Sequence, residues 1–177
     1  MILRFSQKLG ARFKAGPLSP APLDEAPVAD WTSHIFFFDR APYILVSNTA
    51  ALYSVVLYAK GITNESMFIT SFMTSLRDIM AADGLAAAYD RFITPHAGTI
   101  RLASAYSRSV TGSMTELIKC AKFFLSDDDL SPFELGFQLN DLLLSPLASE
   151  KSRGYGKPRE AFQTLIAESP RPLGRGG

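Results

Sequence analysis

Cysteine, histidine and tryptophan are nearly missing from this 177-residue chain, which holds one, two and one of them. The lone Cys120 excludes an internal disulfide framework. With only His34 and His96 beside it, an ordinary structural zinc site is excluded as well. Net charge is also missing: eighteen Lys and Arg against seventeen Asp and Glu leave +1, without the basic total of a dedicated nucleic-acid binder. No run of apolar residues is long enough for a membrane-spanning helix, so no membrane partner is expected. The amino terminus carries Arg4, Lys8, Arg12 and Lys14 before any acid, yet lacks the apolar core of a secretory signal. A cytoplasmic chain is the expectation. The phosphate-loop spacing G-x(4)-G-K-[ST], the dinucleotide pattern G-x-G-x-x-G, the G-x-S-x-G elbow and H-E-x-x-H are all absent. No cofactor and no metal are expected. Asp127-Asp128-Asp129 has neither the alternate spacing nor the glycine turn of a calcium loop and reads as a solvated stretch.

What is present is apolar and aromatic. Hydrophobic residues make up 47% of the chain, with thirteen Phe, enough for one domain with a real core. The expected organisation is a single α+β domain over 1–168, with a proline-rich connector at 15–29 inside it and a disordered tail at 169–177. Ile2-Leu3-Arg4-Phe5 reads as a strand, followed by a short helix carrying Leu9 and Phe13. Pro17, Pro20, Pro22 and Pro27 then deny both a helix and most ladder hydrogen bonds. Three strand-like runs come next, 31–38, 43–47 and 52–58, each ending in turn formers. Their short spacers predict a three-stranded antiparallel meander at the centre of a sheet of four or five antiparallel strands. In the third run both alternating faces are apolar, which predicts cover on both sides, by this chain or by a partner.

Beyond Asn64 the period changes to that of a helix. Phe68, Phe72, Leu76, Ile79 and Met80 form one stripe, with Asn64 as its cap. A short helical piece over 85–93 and a strand within 98–106 follow. Residues 108–125 then place Val110, Met114, Leu117, Ile118, Ala121, Phe124 and Leu125 on one helical face. Ser113 and Glu116 have the spacing of a capping box, and Gly112 precedes them, so the helix is expected to start near 113. Ser131-Pro132-Phe133-Glu134 is a second complete start signal, and Pro158 opens a last helix through Phe162.

Four motifs together resemble a family of uncharacterised bacterial proteins, grouped as a domain of unknown function. They are the LR-S-KL start, W-x(6)-F-D-R-x-P-YIL-x-S-N-x(3)-LYSVV, R-S-V-x-G-S-M-x-E-L, and N-x(5)-P with GY-x-x-P-x-E-A-F. The resemblance covers nearly all of the chain apart from its tail. It implies one bacterial cytosolic α+β domain and carries over no activity and no catalytic residue.

Two functional classes follow from the residues. One is a small binding or regulatory module acting through a protein partner or a second copy of itself, because an aromatic two-sided sheet offers an edge or a face. The other is a binder, with hydrolysis left open, of a phosphate-bearing ligand, a nucleotide or a nucleic-acid backbone. Its anion would sit at a helix start formed by Arg108, Ser109, Gly112 and Ser113, with Arg40 approaching and Lys151, Arg153 and Lys157 contributing from a loop. Overall charge does not favour nucleic acid. The sequence assigns no catalytic group.

Overall fold

The computed structural model describes residues 1–147 and 156–170. Five strands, β1 (Ile2–Phe5), β2 (Asp30–Phe38), β3 (Ala41–Asn48), β4 (Ser54–Tyr58) and β5 (Arg101–Ser104), form one sheet in the order β4-β3-β2-β1-β5. The described α-helices are α1 (Gln7–Phe13), α2 (Glu65–Ala82), α3 (Ala86–Ala88), α4 (Thr94–Ala97), α5 (Arg108–Asp127), α6 (Pro132–Leu139) and α7 (Pro158–Glu168). A π-helical turn, Tyr89–Ile93, joins α3 to α4.

The class is α+β and the meander β2-β3-β4 is antiparallel as expected. The wholly antiparallel sheet is corrected to a mixed one, because β1 runs parallel to both β2 and β5. Short spacers report only the pairing of neighbours in sequence. β1 reaches β2 through a crossover made by α1 and the proline-rich strap, and a crossover of that length permits a parallel pair.

Alternation along the strands sorts the core into two layers. Trp31, Ile44, Val46, Tyr53, Val55 and Leu57 pack with Leu9 and Phe13 of α1, Phe68 and Phe72 of α2, and Phe162 of α7. Phe36, Leu45, Leu52 and Val56 pack on the other face with Met114, Leu117 and Ala121 of α5 and Leu135 and Leu139 of α6. The third strand of the meander is therefore covered on both sides by the chain itself. Under the strap, the fully buried Arg4 guanidinium forms a two-pronged pair with Asp30 at 2.7 Å. It also donates to the Ala21 and Pro22 carbonyls at 2.9 and 2.7 Å. A buried charge needs such complete pairing to be tolerated, so one arginine fixes where a segment rich in proline lies.

The β2–β3 turn is two residues long, and Asp39 and Arg40 both have positive φ, 45° and 65°. That is the demand of the tight turn whose twist matches a hairpin. It fixes a register in which Phe37 faces Pro42.

Candidate functional site

The expected anion site starts elsewhere than at Ser113. Helix α5 begins at Arg108, and its cap is Ser107, whose hydroxyl accepts from the Val110 N–H at 3.3 Å. The capping box expected at Ser113 and Glu116 does not form: the Ser113 hydroxyl donates to the Ser109 carbonyl at 3.2 Å, and Glu116 pairs with Lys119 at 2.8 Å. Ser107 and Ser113 both precede apolar residues at helical spacing, and the earlier one adds a turn of intrahelical bonds. Arg108 and Ser109 lie exposed on the first turn, while Gly112 and Ser113 lie on the second. Arg40 sits in the β2–β3 turn. Its neighbour Asp39 and Asp129, just past the other end of α5, both act on the Tyr43 hydroxyl, whose pKa is raised chiefly by burial and then by Tyr58 and these two charges. A helix of twenty residues is roughly 30 Å long, so Arg40 lies toward the end of α5 opposite Arg108. Lys151 and Arg153 lie outside the described residues. Lys157 stands 3.7 Å from Asp141.

The sheet itself offers a different site, built from how its edges are closed. At the β4 edge, Asn140 acts as a substitute strand: its side chain accepts from the Ser54 N–H at 2.6 Å and donates to the Ser54 carbonyl at 3.0 Å. Gly136 brings α6 close beside it, where a Cβ would stand 3.2 Å from the Ile79 Cδ1 and in ordinary contact with the Val56 nitrogen. At the β5 edge, the Ser104 N–H donates to the Ser19 carbonyl of the strap at 3.1 Å. Both outer edges thus receive bonds from the chain.

A third edge lies inside the sheet. β1 reaches only as far as Ser33, whose carbonyl accepts from the Ser6 N–H at 2.9 Å. β2 continues for five residues beyond it, His34 to Phe38, paired with β3 alone. The Thr49 N–H donates to the Asp30 carbonyl, and antiparallel partners alternate between bonded and unbonded pairs. His34, Phe36 and Phe38 therefore turn their backbone groups to β3, while Ile35 and Phe37 turn theirs away from it. Among the described residues, Ile35 and Phe37 have no backbone partner on that side.

The gap left there is a cleft of about 550 Å³. Its floor is β2 from His34 to Phe37. Its walls are the start of α1 at Gln7 and Lys8, Ala105 after β5, and Thr111, Ile118 and Lys122 of α5. Phe37 is 53% exposed there. The His34 Nε2 is buried in the same place with no hydrogen-bond partner, and burial lowers the imidazole pKa from its ordinary value. No Asp or Glu lines the cleft. The sequence signal was the apolar run Ile35-Phe36-Phe37-Phe38. Sequence alone did not disclose that β1 stops short of it.

The Ser33 Oγ, one residue before His34, is likewise buried without a hydrogen-bond partner. Tyr53 donates to Asp83 at 2.6 Å, and the Arg159 guanidinium pairs with Asp83 and with Asp141, lying 4.2 Å over the Phe137 ring. This network ties α7 to the ends of α2 and α6. A second groove, about 580 Å³, runs between α2 and the start of α6 beside β4, with Tyr58, Met67 and Phe133 exposed along it. Among the described residues, no three His, Cys, Asp or Glu come together as a metal-ligand set. No described helix is long and apolar enough to cross a membrane.

Fold and site together define a small α+β domain with a mixed five-stranded sheet notched on one interior edge. The chain belongs to the family described as Domain of unknown function (DUF6933), whose model matches residues 2–161 and so spans every strand and the notch. No curated protein matches it.

Proposed function

We propose that the chain is a protein-recognition module that takes an extended segment of a partner into the notch as an added strand. The observation that carries this reading is the pair of outward-facing, unpartnered backbone positions at Ile35 and Phe37. An exposed strand edge of this kind is a template for another chain, and main-chain bonds to such an edge are a recurrent mode of peptide capture. The surrounding sequence fits the role, since Ile35-Phe36-Phe37-Phe38 has high β-propensity and no internal charge to repel a strand. Alternate side chains of the guest would meet α5 on one face of the sheet and α1 on the other.

One substitution isolates the backbone contribution. Phe37 faces Pro42 at an unbonded position of the hairpin, so Phe37→Pro removes an outward N–H and leaves the bonds to β3 in place. Peptides selected from a random display library on the intact protein should lose binding to Phe37→Pro. They should keep most of it with Phe37→Ala, which retains the N–H. Selected peptides that bind Phe37→Pro and the parent chain equally would overturn the reading, as would a library that yields no binders.

A further inference from the structure

The geometry points to a partner segment that is acidic, with neighbouring carboxylates, one for each face of the notch; this rests on the strand-addition reading. Even-numbered residues of β2 belong to the face covered by α5, as Phe36 does, and odd-numbered ones to the face covered by α1, as Trp31 does. An added strand alternates in the same way. On the α5 side the notch presents Lys122, one turn beyond Ile118, and on the α1 side it presents Lys8. Both lysines are exposed, and among the described residues neither is in an ion pair. Arg108 adds positive charge three residues before Thr111, which itself lines the notch. With no acid in the lining, a cationic slot is left open on both faces in a molecule whose total charge is only +1.

Three occupants are thereby separated. A second copy pairing its own β2 edge antiparallel to this one would bring Lys8 and Lys122 of both copies toward each other, and like charges placed opposite one another are destabilising. A nucleic-acid backbone would answer the charge and yet offer no strand to continue the ladder at Ile35 and Phe37. An extended peptide with two adjacent acids answers both, because adjacent residues point to opposite faces.

The test uses short fluorescein-labelled peptides of alternating Thr and Val with a central Glu-Glu, Gln-Gln or Lys-Lys pair, titrated against the intact chain by anisotropy. Two exposed ion pairs should make the Glu-Glu peptide bind about tenfold tighter than the Gln-Gln one, an advantage that shrinks as salt is raised. The double variant Lys8→Glu with Lys122→Glu should reverse the order, so that the Lys-Lys peptide binds best. That gain also shows that the variant is folded. Equal binding of the Glu-Glu and Gln-Gln peptides, both lost in Phe37→Pro, would overturn the acidic preference and leave strand addition standing. Glu-Glu binding that survives Phe37→Pro, or no binding by any peptide, would overturn both. Concentration-dependent dimerisation in light scattering that Phe37→Pro abolishes would place a second copy in the notch and overturn the acidic partner.

Discussion

His34 shows how a single side chain reports on the notch. Its Nε2 is buried without a hydrogen-bond partner, and its pKa is lowered by desolvation. The imidazole takes up a proton less readily in the folded chain than in the unfolded one. Between the lowered folded value and the ordinary 6.5, the unfolded state therefore binds the extra proton. His34 thus carries no protonation penalty above 6.5, and its contribution to stability falls as the pH drops below that value. Lys8 and Lys122 line the same cleft and make a new positive charge there no easier to hold. Urea unfolding of the parent chain and of His34→Gln should diverge over the interval below pH 6.5, with the parent losing more stability. Parallel curves across that interval would mean that the imidazole is solvated.

At the scale of elements, legibility divided along what is local. The α2 stripe Phe68, Phe72, Leu76, Ile79 and Met80 with its Asn64 cap could be read directly, and each of those five residues is buried. So could the capping box at Ser131 and Glu134, where both reciprocal bonds form. Periodicity and caps are written in a few consecutive residues, which is why they survive in sequence. The start of α5 was not legible, because two serines six residues apart compete for the cap and the choice depends on where β5 delivers the chain. Ser107→Ala should lower stability by about 1 kcal/mol. Ser113→Ala, in the helix interior, should leave it unchanged or raise it by a few tenths, since alanine is the better helix former. Thermal unfolding of the two variants separates the assignments: a loss at Ser113 with none at Ser107 would restore the later start.

At the scale of the whole molecule, the order of the strands was not legible. β1 and β5 lie about a hundred residues apart in sequence and meet as parallel neighbours, a long-range pairing with no local signature. The notch is a product of that order. It exists because β1 ends at Phe5 while β2 runs on to Phe38, a mismatch of lengths between elements that a linear reading treats separately. The polar closures at the other edges have the same character. Asn140 bonds to Ser54 across 86 positions, and in sequence it entered only as the first residue of the N-x(5)-P motif, with no local sign of this bond.

The central claim is that the interior edge of β2 is open in the free chain. Residue-resolved amide hydrogen exchange on the protein at low concentration tests it without any ligand. His34 and Phe36, bonded to β3, should be protected, while Ile35 and Phe37 between them should exchange quickly, giving an alternation along one strand. Thr32, bonded to β3, and Ser33, bonded to β1, should both be slow. Uniform protection from Thr32 to Phe37 in the monomer would mean that the edge is already occupied by the chain itself, and would contradict the account.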